Sequence, residues 1–159
     1  MQLNICLLAG LLTIPAVVSA TPQGPSSAPA EPQTLPVMIS PAIRYQGLIS
    51  LHTGDELRTL LLRADADAGR DNYQSRQPVA VVLHGDEIAL FERSRYRENK
   101  ALVDLAARLD AFGVVELKVC ASWMAGHGIS AGDLPPFLET VNDGPAEVRR
   151  MQLEGYASF

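Results

Sequence analysis

No surplus of positive charge runs through this sequence: 13 Lys and Arg stand against 18 Asp and Glu, for a formal net charge of -5. That balance removes the global electrostatic argument for nucleic acid or an acidic lipid surface as a partner. Closely spaced Cys and His pairs of the kind that mark a metal site are missing as well. Cysteine itself is scarce, with Cys6 and Cys120 the two in 159 residues. Beyond the first 20 residues, no stretch is long and apolar enough to span a bilayer. What remains is an ordinary globular mix, 47% hydrophobic and 19% charged, at a length that suits one domain.

The start of the chain differs from the rest. Leu3 to Val18 is almost wholly apolar and holds no Lys, Arg, Asp or Glu. It runs into Val18-Ser19-Ala20, the small-x-small pattern that signal peptidase accepts. Residues 1–20 therefore read as a signal peptide cleaved after Ala20, which predicts a periplasmic or secreted protein that keeps no membrane segment. An uncleaved anchor is the alternative, and Pro15 and the short apolar core argue against it. On the cleaved reading Cys6 departs with the leader, and an internal disulfide becomes impossible. Cys120 is then a buried small hydrophobe, a bridge to another chain, or a reactive thiol.

Residues 21–41 hold six prolines among Ser, Ala, Gln and Gly. Such a composition buries too little apolar surface to offset its ordering entropy, and it predicts an extended linker. A folded domain is expected over residues 42–159. Within it strands and helices alternate. Arg44 to Leu51, Val79 to Leu83, Val114 to Cys120, Leu138 to Asn142 and Tyr156 to Phe159 read as strands. A capping box, Thr53 with Glu56, opens a helix whose apolar face is Leu57, Leu60, Leu61, Ala64 and Ala68. A second helix runs through Leu102, Leu105, Ala106, Leu109 and Phe112 and stops at Gly113. A short helical turn follows Cys120, and Gly144-Pro145 starts a last helix through Val148 and Met151. This alternation predicts an α/β protein: a three-layer α/β/α sandwich, flavodoxin-like, with a mostly parallel sheet of about five strands.

In such a sheet, ligands bind outside the carboxyl ends of the strands. The first three predicted strands end at His52, at His84-Gly85-Asp86 and at Cys120-Ala121-Ser122, which gathers two histidines and the thiol on one edge. Helix N-terminal amides after Cys120 would stabilise a thiolate, and His127 or His84, when protonated, would add charge. His84 and His52 are equally readable as hydrogen-bonded structural residues. The scattered spacing of Cys120, His84, His52 and Asp86 matches no metal signature. Gly126-His127-Gly128 with Gly132 places its third glycine one position late for a dinucleotide loop, so no cofactor is expected. Arg93, Arg95, Arg97 and Lys100, interleaved with Glu92 and Glu98, form either a solvated face or loop, or an anion or partner-docking patch.

Several pieces match a known pattern: Val81-Val82-Leu83-His84-Gly85, Val115 to Cys120, Gly128-Ile129 with Asp133-Leu134, and Gly144, Glu147, Arg149, Gln152 and Glu154-Gly155-Tyr156-Ala157. With them the segment from about Ile43 to Phe159 resembles the DsrE/DsrF-like (TusD-like) sulfur-relay family, and most nearly its small stand-alone members. The resemblance implies an α/β/α sandwich and a homo-oligomer, a trimer or hexamer. It also implies a cysteine at the place of Cys120 that carries sulfur as a persulfide, passed to or from a donor or acceptor protein. Relay subunits work in the cytoplasm, whereas this chain reads as exported, and many members have Arg where His127 stands. Cys120 alone carries over from the family. His84 and His127 join it as side chains able to support the thiolate or to protonate a leaving sulfur. Two functions follow: a thiol-based sulfur carrier or sulfurtransferase, or a non-catalytic binding or assembly protein with a structural Cys120. Trp123, Met124 and Phe137 are the expected apolar contributors to an oligomer surface.

Overall fold

The computed structural model describes residues 42–74 and 77–159, so the expected leader and Pro-rich linker lie outside the described residues. Every element below belongs to the compact unit that ends at Phe159. Five strands, β1 (Tyr45–Gly47), β2 (Val79–Leu83), β3 (Val115–Cys120), β4 (Glu139–Val141) and β5 (Ala157–Ser158), form one sheet in the order β4-β3-β2-β1-β5. All four pairings are parallel, so each connection must cross over the sheet.

The crossovers sort the helices onto two faces. α1 (Gly54–Arg70) and α2 (Tyr96–Ala111) link the strands that step from β1 to β3. Their buried stripes, Leu57, Leu60, Leu61, Ala64 and Ala68 on α1 and Leu102, Val103, Ala106 and Leu109 on α2, pack on alternate residues Val79, Val81, Leu83, Val115, Leu117 and Val119. α3 (Ala121–Gly126) follows β3, and its Met124 joins this larger core. The return from β4 to β5 runs through α4 (Gly144–Leu153), which covers the other face with Met151 and Val148 over Ala80 and Val82. β2 and β3 thus lie between helical layers, which is why their sequences are near-continuous apolar runs. Each fully buried Leu of the larger core contributes roughly 1.5–3 kcal/mol by transfer from water.

Local chemistry sets the element ends. Thr53 caps α1 as expected, its Oγ accepting from the Glu56 amide at 3.3 Å. The reciprocal half of the capping box does not form. The Glu56 carboxylate instead accepts from the amides of Ser50, Leu51 and His52 at 2.8, 2.7 and 3.1 Å. This clamp draws the chain away from the sheet, and it explains why β1 ends at Gly47 rather than Leu51. α2 ends as anticipated: Gly113, at φ 64°, lets its own amide and that of Val114 return to Asp110 and Leu109. Two 3₁₀ segments that periodicity does not reveal, Asp86–Phe91 and Arg93–Arg95, bridge β2 to α2. The basic run spans the second of these and the start of α2, with Arg93, Arg95, Arg97 and Lys100 all exposed. Among the described residues, no helix is long and apolar enough to cross a membrane.

Candidate active site at the carboxyl edge of the sheet

The parallel register brings the ends of β1, β2, β3 and β4 to one edge, and every polar side chain considered below stands there or in the segment that follows. Cys120 closes β3 and is the N-cap of α3. The residue is 2% exposed, and its side chain is a free thiol. The Ser122 hydroxyl lies 3.0 Å from Sγ, and the amide of Gly144, in the first turn of α4, donates to Sγ at 3.2 Å. The sulfur therefore sits where the chain enters one helix and beside the start of another.

Burial alone would raise the thiol pKa. It is outweighed by the Ser122 hydroxyl and by the amides of Trp123, Gly144 and Ser122, which hold the thiol below its ordinary value. Each of these donors stabilises negative charge on sulfur more than it stabilises the neutral thiol. The arrangement favours a thiolate, the nucleophilic form of cysteine. Gly144 is required for the approach: a Cβ there would stand 2.4 Å from the His84 Cβ and 3.2 Å from the Cys120 Cβ.

His84 follows β2 and flanks the same point of α4 from the other side. Burial and the charge of His52 push its pKa down, against Glu87, its own backbone and Asp143, so it stays neutral to lower pH than an ordinary histidine. Its ring meets His52 edge-on, with centroids 4.2 Å apart. Behind both lies Glu87, with no exposed surface. That carboxylate accepts from the amides of His84 and Gly85 at 2.8 and 3.1 Å and lies 3.1 Å from His52 Nδ1.

The candidate residues thus fall into two groups. Cys120 and His84 come together across Gly144. His127 takes no part in that contact: its Nδ1 is 2.8 Å from the Trp123 carbonyl, and its ring stacks on the indole at 3.7 Å. Trp123 and His127 instead line a hollow of about 480 Å³ together with His52 and Arg95. Neither histidine bonds to the thiol, whose partners are Ser122 and the flanking amides. Met124 lies in the core, while Trp123 and Phe137 are partly exposed and pack against it. Among the described residues, no three His, Cys, Asp or Glu side chains come together as metal ligands.

Sequence reasoning passed over Glu87, Ser122 and Gly144's role as a donor to sulfur. Glu87 carries no signal of its own, because a charged residue after a strand reads as solvated until the turn that buries it is seen. Ser122, two residues past the cysteine at a helix start, was the one that spacing could have found.

A family model described as DsrE/DsrF-like matches residues 46–159, well over half of the chain. No curated protein matches it. Among solved structures, a protein of unknown function, MTH1491 from Methanobacterium thermoautotrophicum, is similar at 21% identity. That likeness covers 74% of this chain and 96% of the other, with a TM-score of 0.50, and it shows the fold alone. The family match and the parallel five-stranded sheet agree, and the chain belongs to the DsrE/DsrF-like family, which is associated generally with sulfur relay.

Proposed function

We propose that this protein is a sulfur carrier or sulfurtransferase in which Cys120 accepts sulfane sulfur as a persulfide. The observation that carries the reading is the set of donors on Sγ, which outweighs burial and favours the thiolate. In the step envisaged, the thiolate attacks the terminal sulfur of a hydrogen polysulfide. One S–S bond forms, one S–S bond of the polysulfide breaks, and the shortened polysulfide leaves with the electron pair. The proton of the new persulfide passes to that leaving anion. Absence of a second cysteine in the domain leaves no resolving thiol, which suits a carrier better than a dithiol oxidoreductase. His84, across Gly144 from the sulfur, is the better placed of the two candidate histidines to exchange that proton, and His127 the less direct one.

Intact-mass analysis after exposure to polysulfide tests the reading. The expected result is a gain of about 32 Da per sulfur, removed by reductant and absent in Cys120→Ser. A wild-type protein that gains no such mass would sink it. The 2% exposure of Cys120 favours the second reading, a binding or assembly protein with a structural cysteine. Alkylation of Cys120 only after denaturation would select that one. Two further expectations belong to the proposal. The mature chain is exported and begins at Thr21, which N-terminal sequencing of fractionated protein decides. It assembles as a trimer or hexamer, which light scattering decides.

A further inference from the structure

His52 is held more firmly than a structural histidine needs. Its backbone lies in the left-handed region at φ 52°, which residues other than glycine seldom adopt, although histidine does so more readily than most. The Glu56 carboxylate holds it there by taking the amides of Ser50, Leu51 and His52 itself. The ring packs on Gly85, where a Cβ would stand 2.6 Å from the His52 Cβ. Nδ1 lies 3.1 and 3.2 Å from the two oxygens of Glu87. Glu87 is buried and anchored by two backbone amides, so it cannot turn away. An ionised carboxylate only accepts, so Nδ1 carries the hydrogen in either protonation state of the ring. Nε2 is then the nitrogen that gains or loses a proton. A carboxylate that fixes the tautomer and steadies the imidazolium is the usual support of a working histidine.

His52 is part of the wall of the 480 Å³ hollow, and the rest of that wall is suited to negative charge. Arg95 stands on it, and among the described residues its one ion pair is to Glu98 at 3.8 Å, which leaves most of the guanidinium's donors for a ligand. Gly54 brings the positive end of the 17-residue helix α1 to the rim. Trp123 and His127 are also part of the wall. Asp86 is the one carboxylate on the wall, and it offsets one positive charge. Cys120 is not part of this wall.

The geometry points to a binding site for a small oxyanion in this hollow, with His52 Nε2–H and Arg95 as its donors and Glu87 as the residue that positions His52. The imidazolium form of His52 donates from both nitrogens, Nδ1–H to Glu87 and Nε2–H to the anion. Asp86 opposes the anion and weakens its binding. The site goes beyond the sulfur-carrier reading and does not depend on it, since its groups differ from those that hold the thiol.

The test is a titration of the full chain, labelled for ring-nitrogen NMR, with thiosulfate in one arm and inorganic phosphate in the other. Chloride at equal ionic strength is the control. The expected result is a saturable shift of His52 and His127, with His52 Nε2 moving toward its protonated position. Arg95→Gln, at an exposed position, should weaken binding by roughly tenfold. Saturation with thiosulfate alone identifies a sulfur oxyanion, and saturation with both a general oxyanion site. Glu87→Gln should change the His52 tautomer before any ligand is added. The new amide group would donate to Nδ1 and leave the hydrogen on Nε2, a signature that mere loss of stability does not produce. Cys120→Ser should leave the titration unchanged, which separates this site from the thiol's chemistry. Shifts that stay linear, that chloride reproduces, or that Arg95→Gln does not alter would overturn the proposal.

Discussion

At the amino end of the sheet a hollow of about 850 Å³ is lined by Tyr45, Val79, Val114 and Phe159, with Arg63 and Arg70 on its rim. At the carboxyl end the hollow is about 480 Å³, and beside it stand a buried carboxylate, two histidines and a thiol. The larger space holds the simpler chemistry. Arg63 donates to the Phe159 carbonyl at 2.6 Å and lies over its ring, and Arg70 pairs with Asp67 at 2.9 Å. These are surface contacts made by flexible side chains, worth at most about 1 kcal/mol each. At the carboxyl end the groups are held in conformations and environments that a chain adopts at some expense: His52 at positive φ, Glu87 without exposed surface, Cys120 almost wholly covered. Volume does not locate function in this molecule. Concentrated burial of ionisable groups is what marks the carboxyl end as the candidate site.

The sharpest way to break that contrast is to add one methyl group at each end. Gly144→Ala places a Cβ 2.4 Å from the His84 Cβ, an atom fixed to its backbone, so the strand end or α4 must move. We expect a loss of about 2–3 kcal/mol in urea unfolding, near the upper range for overpacking, together with a rise in the Cys120 pKa as the Gly144 amide is displaced. Gly69, near the end of α1 and next to Arg70, has nothing within 4 Å of the same added atom. Gly69→Ala should leave the thiol untouched and stabilise the protein by about 0.5–1 kcal/mol through helix propensity. Equal effects at the two glycines would mean that the carboxyl edge is no more tightly built than the rest.

Much of this contrast was legible before any coordinates, and the exceptions share a cause. β2 and β3 announce themselves as apolar runs, α1 by its cap and α4 by the proline at its start, because burial, capping and proline act on neighbours in sequence. The placing of His52, His84 and Cys120 on one edge followed from strand ends alone. The clamp made by Glu56 did not, since the same Thr53–Glu56 spacing serves a capping box or a grip on the preceding loop. Only the loop's path decides between them. Glu87 lies three residues after His84, and its burial depends on a 3₁₀ segment that has no apolar period to read. His127 shows the opposite limit. Its place a few residues after Cys120 leaves the distance between them open, and α3 carries it about two turns on, onto Trp123.

Alkylation rates sharpen the comparison at the thiol itself. With its pKa held below the ordinary value, Cys120 should react with iodoacetamide in a pH profile whose midpoint lies lower than that of a free thiol. Ser122→Ala removes the strongest of the favourable donors. It should move the midpoint upward and slow the reaction at neutral pH by roughly tenfold, as expected for a lost hydrogen bond to a charged group. The same shift makes a stability statement. Because the folded thiol ionises before the unfolded one, wild type should gain on Cys120→Ser as pH rises from the folded pKa toward the ordinary one. It should lose that gain as pH falls back through the folded pKa. A profile that coincides with that of a free thiol would remove the special status of this cysteine.

The smallest effect expected concerns His84, and its sign is opposite to that of a histidine gaining a carboxylate partner. Burial and the neighbouring His52 keep the folded pKa below the ordinary value of 6.5. As pH falls past that value the unfolded chain takes up a proton that folded His84 still refuses, so the unfolded state is favoured progressively. The loss ends once pH passes the folded pKa, where both states are protonated. His84→Asn has no proton to take up. Its urea midpoint, compared with that of wild type, should therefore fall less between neutral pH and the folded pKa, whatever its absolute stability. The contrast lies in the slopes, so a general weakening from loss of the ring does not mimic it. Parallel slopes would show that His84 titrates freely, and the carboxyl edge would then lose one of the features that set it apart from the amino end.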